Sequence, residues 1–152
     1  GINFNNFNNN FNTRKLFQKK VYLLQILGLD FGYRYNLYLH GPYSPGLTED
    51  GYAIHNYLLE LEEKGERLNL NEKGQGIIEK GIELINLSDE LNMSKIYWLE
   101  LFTTLHYLFN EIYNRKTEEK NIIINRLKEL KPHFQDSDDA INYAWNLIKE
   151  KF

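Results

Sequence analysis

The sequence has no cysteine, so disulfide bonds and thiolate metal sites are excluded. It also lacks any apolar run near the roughly 18 residues of a membrane-spanning helix, and it shows no signal-peptide pattern. We therefore expect a cytoplasmic protein. Aromatic side chains, by contrast, make up 14% of the 152 residues, and 42% of the residues are hydrophobic. This composition is sufficient for one compact domain with a sizeable core.

Charge is divided unevenly along the chain, although the net charge at pH 7 is only −3. Residues 1–43 carry a net charge of +4, and residues 44–152 carry −7. Two interpretations follow. Either the two halves attract each other within one fold, or the molecule presents two surfaces of different charge.

Residues 1–12 are rich in asparagine and phenylalanine, and asparagine side chains compete with helical hydrogen bonds. We therefore expect an extended or frayed arm here. Its phenylalanines, Phe4, Phe7 and Phe11, would dock either on the body of the protein or on a partner. The rest of the chain, residues 13–152, is predicted to be a single helical domain.

Apolar residues at helical spacing predict a mainly α fold of about six helices with a small β-hairpin. In the first helix, capped by Thr13, this spacing places Lys15, Lys19 and Lys20 on the solvent side. Extended pieces are expected at residues 33–39 and 68–70. The helices are expected over about residues 14–27, from Pro45 or Thr48 to Lys64, over 72–84 and 95–113, from 117 to Pro132, and from Ser137 onward.

Two of the three prolines lie in the stretch His40–Leu47, which reads HGPYSPGL. Pro42 fixes its own φ and keeps the preceding residue out of the helical region, so a strand or helix ends there. Ser44 followed by Pro45 is typical of an N-cap and the first residue of a helix. The stretch is thus predicted to be a strand-to-helix corner. This local account does not explain His40, which would donate a structural hydrogen bond or face a partner.

The segment KLFQKKVYLLQ (Lys15–Gln25), followed by Gly28 and then YNLYLHGPYSPGL, resembles the Panacea-domain family. This family includes the SocA-type antitoxins, and the Tyr43-Ser44 pair is more similar to its uncharacterised bacterial and archaeal branch. The resemblance covers about residues 13–64. It implies a non-enzymatic, mainly helical module that binds a protein, either holding a toxin inactive or delivering it to a protease. The residues that carry over are structural ones: Leu16, Gln18, Tyr22, Gly41 and Pro42.

The basic first helix and the corner together form the expected contact surface for a partner. The candidate residues are Arg14, Lys15, Lys19, Lys20, Arg34, His40 and Tyr43. A long apolar stripe from Trp98 to Ile112 is expected to lie in the core or to form a dimer face.

A second similarity is to winged-helix regulators, because a basic helix, a strand and a helix precede RLNLNEKGQGII. There, Leu70–Gly74 would close the wing. DNA binding needs cations on the recognition helix. The corresponding helix instead carries carboxylates at Glu49, Asp50, Glu60, Glu62 and Glu63. A DNA-binding regulator therefore remains the alternative, supported by the basic residues 14–20 and Arg34.

The remaining class is an enzyme, and the four histidines offer little support for it. His40, His55, His106 and His133 have no HExxH or other metal-ligand spacing. A metal site would require His40 and His55 to meet across the corner, with Asp50 or Glu49 near. Ser44 lacks the context of a nucleophile elbow. We expect no catalytic residue, no metal and no cofactor.

Overall fold

The computed structural model describes residues 7–65 and 71–152. Phe4 of the arm and the extended piece predicted at residues 68–70 lie outside these ranges. Of the segment predicted to close a wing, Leu70–Gly74, Asn71 caps α3 and Glu72 to Gly74 form its first turn. The described part forms a single, mainly helical domain with one small antiparallel sheet, which confirms the predicted fold class. Over these ranges, no helix combines the length and apolar character needed to cross a membrane. The elements are α1 (Phe11–Ile26), β1 (Asn36–Tyr38), β2 (Gly41–Tyr43), α2 (Pro45–Lys64), α3 (Glu72–Glu90), α4 (Lys95–Tyr107), α5 (Lys120–Leu130) and α6 (Asp138–Lys151), with a π-helical turn at Leu108–Ile112 and 3-10 turns at Thr117–Glu119 and Pro132–Phe134.

The first helix begins three residues earlier than predicted, at Phe11 instead of Arg14. Its cap is Asn10, whose side-chain oxygen accepts a hydrogen bond from the amide of Thr13 at 3.1 Å. Asparagine caps a helix at least as well as threonine does. An asparagine-rich segment can therefore start a helix as well as form an arm, and Phe11 and Asn12 belong to α1.

Phe7 of the predicted arm docks on the body of the protein. It is 1% exposed, and its ring packs edge-on against Phe17, with 5.3 Å between ring centroids. These two rings and Leu47 form a small hydrophobic cluster that joins α1 to α2. The cluster holds the first turn of α2 against α1.

α3 is longer than predicted, since it ends at Glu90 instead of near Leu84. Its inward-facing positions continue to Ser88, which is fully buried, and no glycine or proline lies between Leu84 and Ser88 to end the helix. The joint predicted for residues 86–94 is correspondingly shorter. Ser94 then caps α4 as predicted, with its hydroxyl accepting from a backbone amide.

α4 is the central element of the fold and packs against α1, α3, α5 and α6. All ten of its residues from Trp98 to Tyr107 are buried. The apolar stripe that we assigned to the core or to a dimer face therefore lies in the core, except for Ile112, which is 51% exposed. A helix buried on every side places even its polar residues inside the protein, and Glu100 is one of them.

The two strands form a hairpin in which Tyr38 lies opposite Gly41, so that Leu39 and His40 make a two-residue turn. The strand predicted over residues 33–39 is thus confined to β1. Gly41 has a φ of +86°, a conformation that glycine adopts without steric cost. The hairpin packs on α1 and α4 and brings the corner against both helices.

Candidate functional site

The corner is fastened to α1 by one buried amide side chain. Gln18 donates hydrogen bonds to the carbonyl oxygen of Ser44 at 2.9 Å and to the hydroxyl of Thr48 at 2.8 Å. Its own oxygen accepts from the Ser44 amide at 3.0 Å. The Ser44 hydroxyl in turn accepts from the amide of Leu47 at 3.4 Å, which is the predicted N-cap of α2. Gln18 and Ser44 therefore set the geometry of the turn.

Lys19 is buried, which contradicts its predicted place on the solvent side of α1. It is 1% exposed, and its ammonium group donates to the carbonyl oxygen of Pro42 at 2.6 Å. The prediction was wrong because the hairpin folds over this side of α1 and covers it. Burial, together with the nearby charge of Lys131, lowers the pKa of Lys19 to about 7.

Glu100 lies at the centre of a buried group of charges beneath the corner. One carboxylate oxygen binds the ammonium group of Lys131 at 2.8 Å, and the other binds that of Lys15 at 3.0 Å. Lys131 also donates to the carbonyl of Leu39 in the hairpin turn. We refer to Lys15, Lys19, Lys131 and Glu100 as the lysine cluster.

Two histidines surround the lysine cluster. His40 Nδ1 lies 3.8 Å and His133 Nε2 lies 3.6 Å from the same oxygen of Glu100. Burial lowers the pKa of His40 despite the attraction of Glu100. Burial also opposes the charge of Glu100, but the ammonium groups of Lys131 and Lys15 outweigh it and hold the pKa of this carboxyl below its usual value.

A cavity of about 440 Å³ opens beside the corner, between α1, the hairpin and α2. Its charged lining is basic, from Arg14, Lys15 and Lys19, and no carboxylate is among the described residues that line it. Aromatic rings and Leu39 form most of the rest of its wall. The remaining lining residues are Phe11, Gln18, Tyr38, Leu39, His40, Gly41, Tyr43, Thr48 and Tyr52.

The structure brings five of the seven predicted contact residues together around this cavity, namely Arg14, Lys15, Lys19, His40 and Tyr43. Lys20 and Arg34 are not among the residues that line it. Arg34 instead lines a separate depression, together with Tyr22 and Tyr107.

Sequence reasoning missed Glu100 and Lys131. Glu100 did give a signal, because it is the one charged residue in the otherwise uncharged and mainly apolar run Ile96–Leu105. A carboxylate in such a run needs a buried cationic partner. Lys131 gave no comparable signal, since it follows an ordinary amphipathic helix.

Tyr22 and His106 form a buried pair away from the cavity, with 2.8 Å between the phenol oxygen and Nδ1. Burial lowers the pKa of His106 to about 4, so this imidazole is neutral at pH 7. Within residues 7–65 and 71–152, no group of three or more histidine, cysteine, aspartate or glutamate side chains is arranged to hold a metal. The Tyr22–His106 hydrogen bond joins α1 to α4 inside the protein.

Gly41 gives a direct test of how tightly the corner is packed. A Cβ at this position would lie 2.3 Å from the Thr104 hydroxyl and 3.2 Å from the Lys19 ammonium, in addition to the strain of the positive φ. We expect Gly41→Ala to lower the free energy of unfolding by about 2–4 kcal/mol in urea titrations. Gly46→Ala is the matched control, because a Cβ there meets open space, and its effect should stay within about 1 kcal/mol. Equal stability of the two variants would contradict the packing described here.

The wall of the cavity combines cationic groups with aromatic rings. This combination would suit a ligand that has both a negative charge and an apolar body. Compared with known proteins, the chain matches no family model, no curated protein and no solved structure.

Proposed function

We propose that this chain is a non-enzymatic, cytoplasmic protein-interaction module, similar in role to the Panacea and SocA-type antitoxins. In that role it would neutralise a toxin or deliver it to a protease. The observation that supports the proposal is a group of exposed apolar side chains beside cations at the mouth of the cavity. We call this group the corner surface, and it consists of Phe11, Arg14, Tyr38, Leu39, His40 and Tyr52.

The apolar members of the corner surface are open to solvent, Leu39 most of all. Leu39 is 78% exposed, Phe11 53%, Tyr38 52% and Tyr52 40%. Single exposed apolar residues are ordinary, but several around one opening are typical of a contact surface. Aromatic and arginine side chains are also the types that contribute most to protein interfaces.

The turn that carries Leu39 is fixed before any partner binds. Its carbonyl group is held by Lys131, and Gln18 holds the following residues at Ser44. A surface that is already ordered loses little conformational entropy on binding. The charge around it favours a partner with an acidic surface and an apolar anchor residue.

The test is binding of a purified partner, beginning with the product of the adjacent gene. Leu39→Asp should weaken this complex at least tenfold, because it removes an apolar contact and places a negative charge opposite an acidic partner. Ile122→Asp is the matched control, since Ile122 is 55% exposed on α5 and does not line the cavity. Equal affinity of the two variants, or no binding by the wild type, would contradict the proposal.

A DNA-binding regulator remains the alternative, and the positions of the charges favour it less. α2 exposes carboxylates at Glu49, Asp50, Glu60 and Glu63. Among the basic residues of α1, Lys19 is buried. Duplex binding that weakens steeply with salt would favour this alternative.

A further inference from the structure

The cavity beside the corner has more buried positive charge near it than negative charge. Lys15 and Lys131 share the single carboxylate of Glu100. Lys19 donates instead to a neutral group, the carbonyl of Pro42. Buried charges in proteins are normally paired, so the lysine cluster favours an additional negative group.

We propose that this cavity binds a small organic carboxylate with an aromatic or aliphatic body. The carboxylate would lie against Lys15 and Lys19, and the apolar body would lie against the rings of Phe11, Tyr38 and Tyr52. This site shares Phe11, Tyr38 and Tyr52 with the corner surface, but it requires no protein partner, so it is tested independently of the proposed function. The volume of about 440 Å³ lies within the range typical of small-molecule sites.

The lining favours a singly charged acid over a phosphate. Arg14, the residue best suited to grip a phosphate in a bidentate manner, already donates to the carbonyl oxygens of Phe7 and Asn8, both at 2.9 Å. The rest of the wall is mainly rings and one aliphatic side chain, and the amide of Gln18 and the hydroxyl of Thr48 already donate to groups of the corner. One carboxylate on an apolar body matches this set of groups.

Binding of a carboxylate should depend on pH, because it would favour the charged form of Lys19. The groups that act on Lys19 are Lys15 of the same helix, Glu100 of α4 and Lys131 after α5, with the His40 ring nearby in the hairpin. Because the pKa of Lys19 is about 7 in the free protein, binding takes up a proton near neutral pH. Affinity should therefore fall as the pH rises above 7, by at most about tenfold per pH unit.

The experiment is isothermal titration of the full chain with 3-phenylpropionate and with its neutral amide, at pH 6.5, 7.5 and 8.5. We expect the acid to bind at least tenfold more tightly than the amide, with affinity falling as the pH rises. Heats measured in two buffers of different ionisation enthalpy should differ, which reports the proton taken up. Equal affinity of acid and amide, or acetate binding as tightly as 3-phenylpropionate, would overturn the proposal.

Substitutions inside and outside the cavity lining test whether the acid binds in this cavity. Lys19→Gln should weaken binding of the acid at least tenfold and abolish its pH dependence, whereas Lys20→Gln, on the same helix but outside the cavity lining, should leave both unchanged. Leu39→Glu provides a second variant that does not disturb the fold, because the side chain is 78% exposed at the cavity mouth. It should weaken binding of the acid while sparing the amide. Unchanged binding in Leu39→Glu and in a folded Lys19→Gln would place the ligand elsewhere.

Discussion

Replacing Glu100 with glutamine is expected to lower the free energy of unfolding by about 3–5 kcal/mol, because it leaves buried ammonium groups without a counter-charge. Lys131 is 1% exposed and contacts one oxygen of Glu100, and Lys15 contacts the other. A neutral amide of the same shape keeps the packing but supplies no negative charge. Urea unfolding at pH 7 measures the loss.

A surface ion pair provides the control for Glu100→Gln. Glu129 pairs with Arg126 at 2.9 Å, but both side chains are largely exposed. Glu129→Gln should therefore change stability by less than about 1 kcal/mol. A double variant, Glu100→Gln with Lys131→Met, removes one of the unpaired charges and should recover part of the lost stability. An effect of Glu100→Gln no larger than that of Glu129→Gln would mean that solvent already compensates the lysine cluster.

The helices could be predicted from the sequence because local signals define them well. Ser44 with Pro45 and Ser94 mark helix starts that the structure confirms. The start of α1 differs from the prediction because Asn10 competes with Thr13 as its cap. Where two caps lie three residues apart, packing decides between them, and here the burial of Phe7 favours the earlier one.

The lysine cluster could be predicted only in part, because it depends on elements distant in sequence. A polar stripe on an amphipathic helix is normally a solvent face, and Lys15 and Lys19, four residues apart, share such a stripe. The hairpin and α4 cover this face, and no local pattern in α1 indicates that cover. The contacts of Glu100 with Lys15 and Lys131 span 85 and 31 residues of sequence, respectively.

The stability of the protein is expected to rise with pH above neutrality because of Lys19. Its pKa is about 7 in the folded chain, whereas an unfolded lysine titrates near 10.5. Between these values the unfolded state binds a proton that the folded state does not, so raising the pH favours folding. The unfavourable effect of the buried charge is fully present below pH 7 and is lost by about pH 10.5. From this one group, the free energy of unfolding rises with pH by up to about 1.4 kcal/mol per pH unit.

Lys19→Met and Lys19→Gln both remove the titrating amine, so both should lose this slope between pH 7.5 and 9.5. Their absolute stabilities need not agree, because glutamine can still donate toward the Pro42 carbonyl and methionine cannot. The measurement is urea unfolding at several pH values, which gives the free energy of unfolding as a function of pH. The slope of this function for the wild type is compared with the slope for each variant. A wild-type slope equal to that of both variants would mean that Lys19 titrates as it does in water. The hairpin would then fail to shield it, and the cavity beside it would lose its cationic character only at a much higher pH.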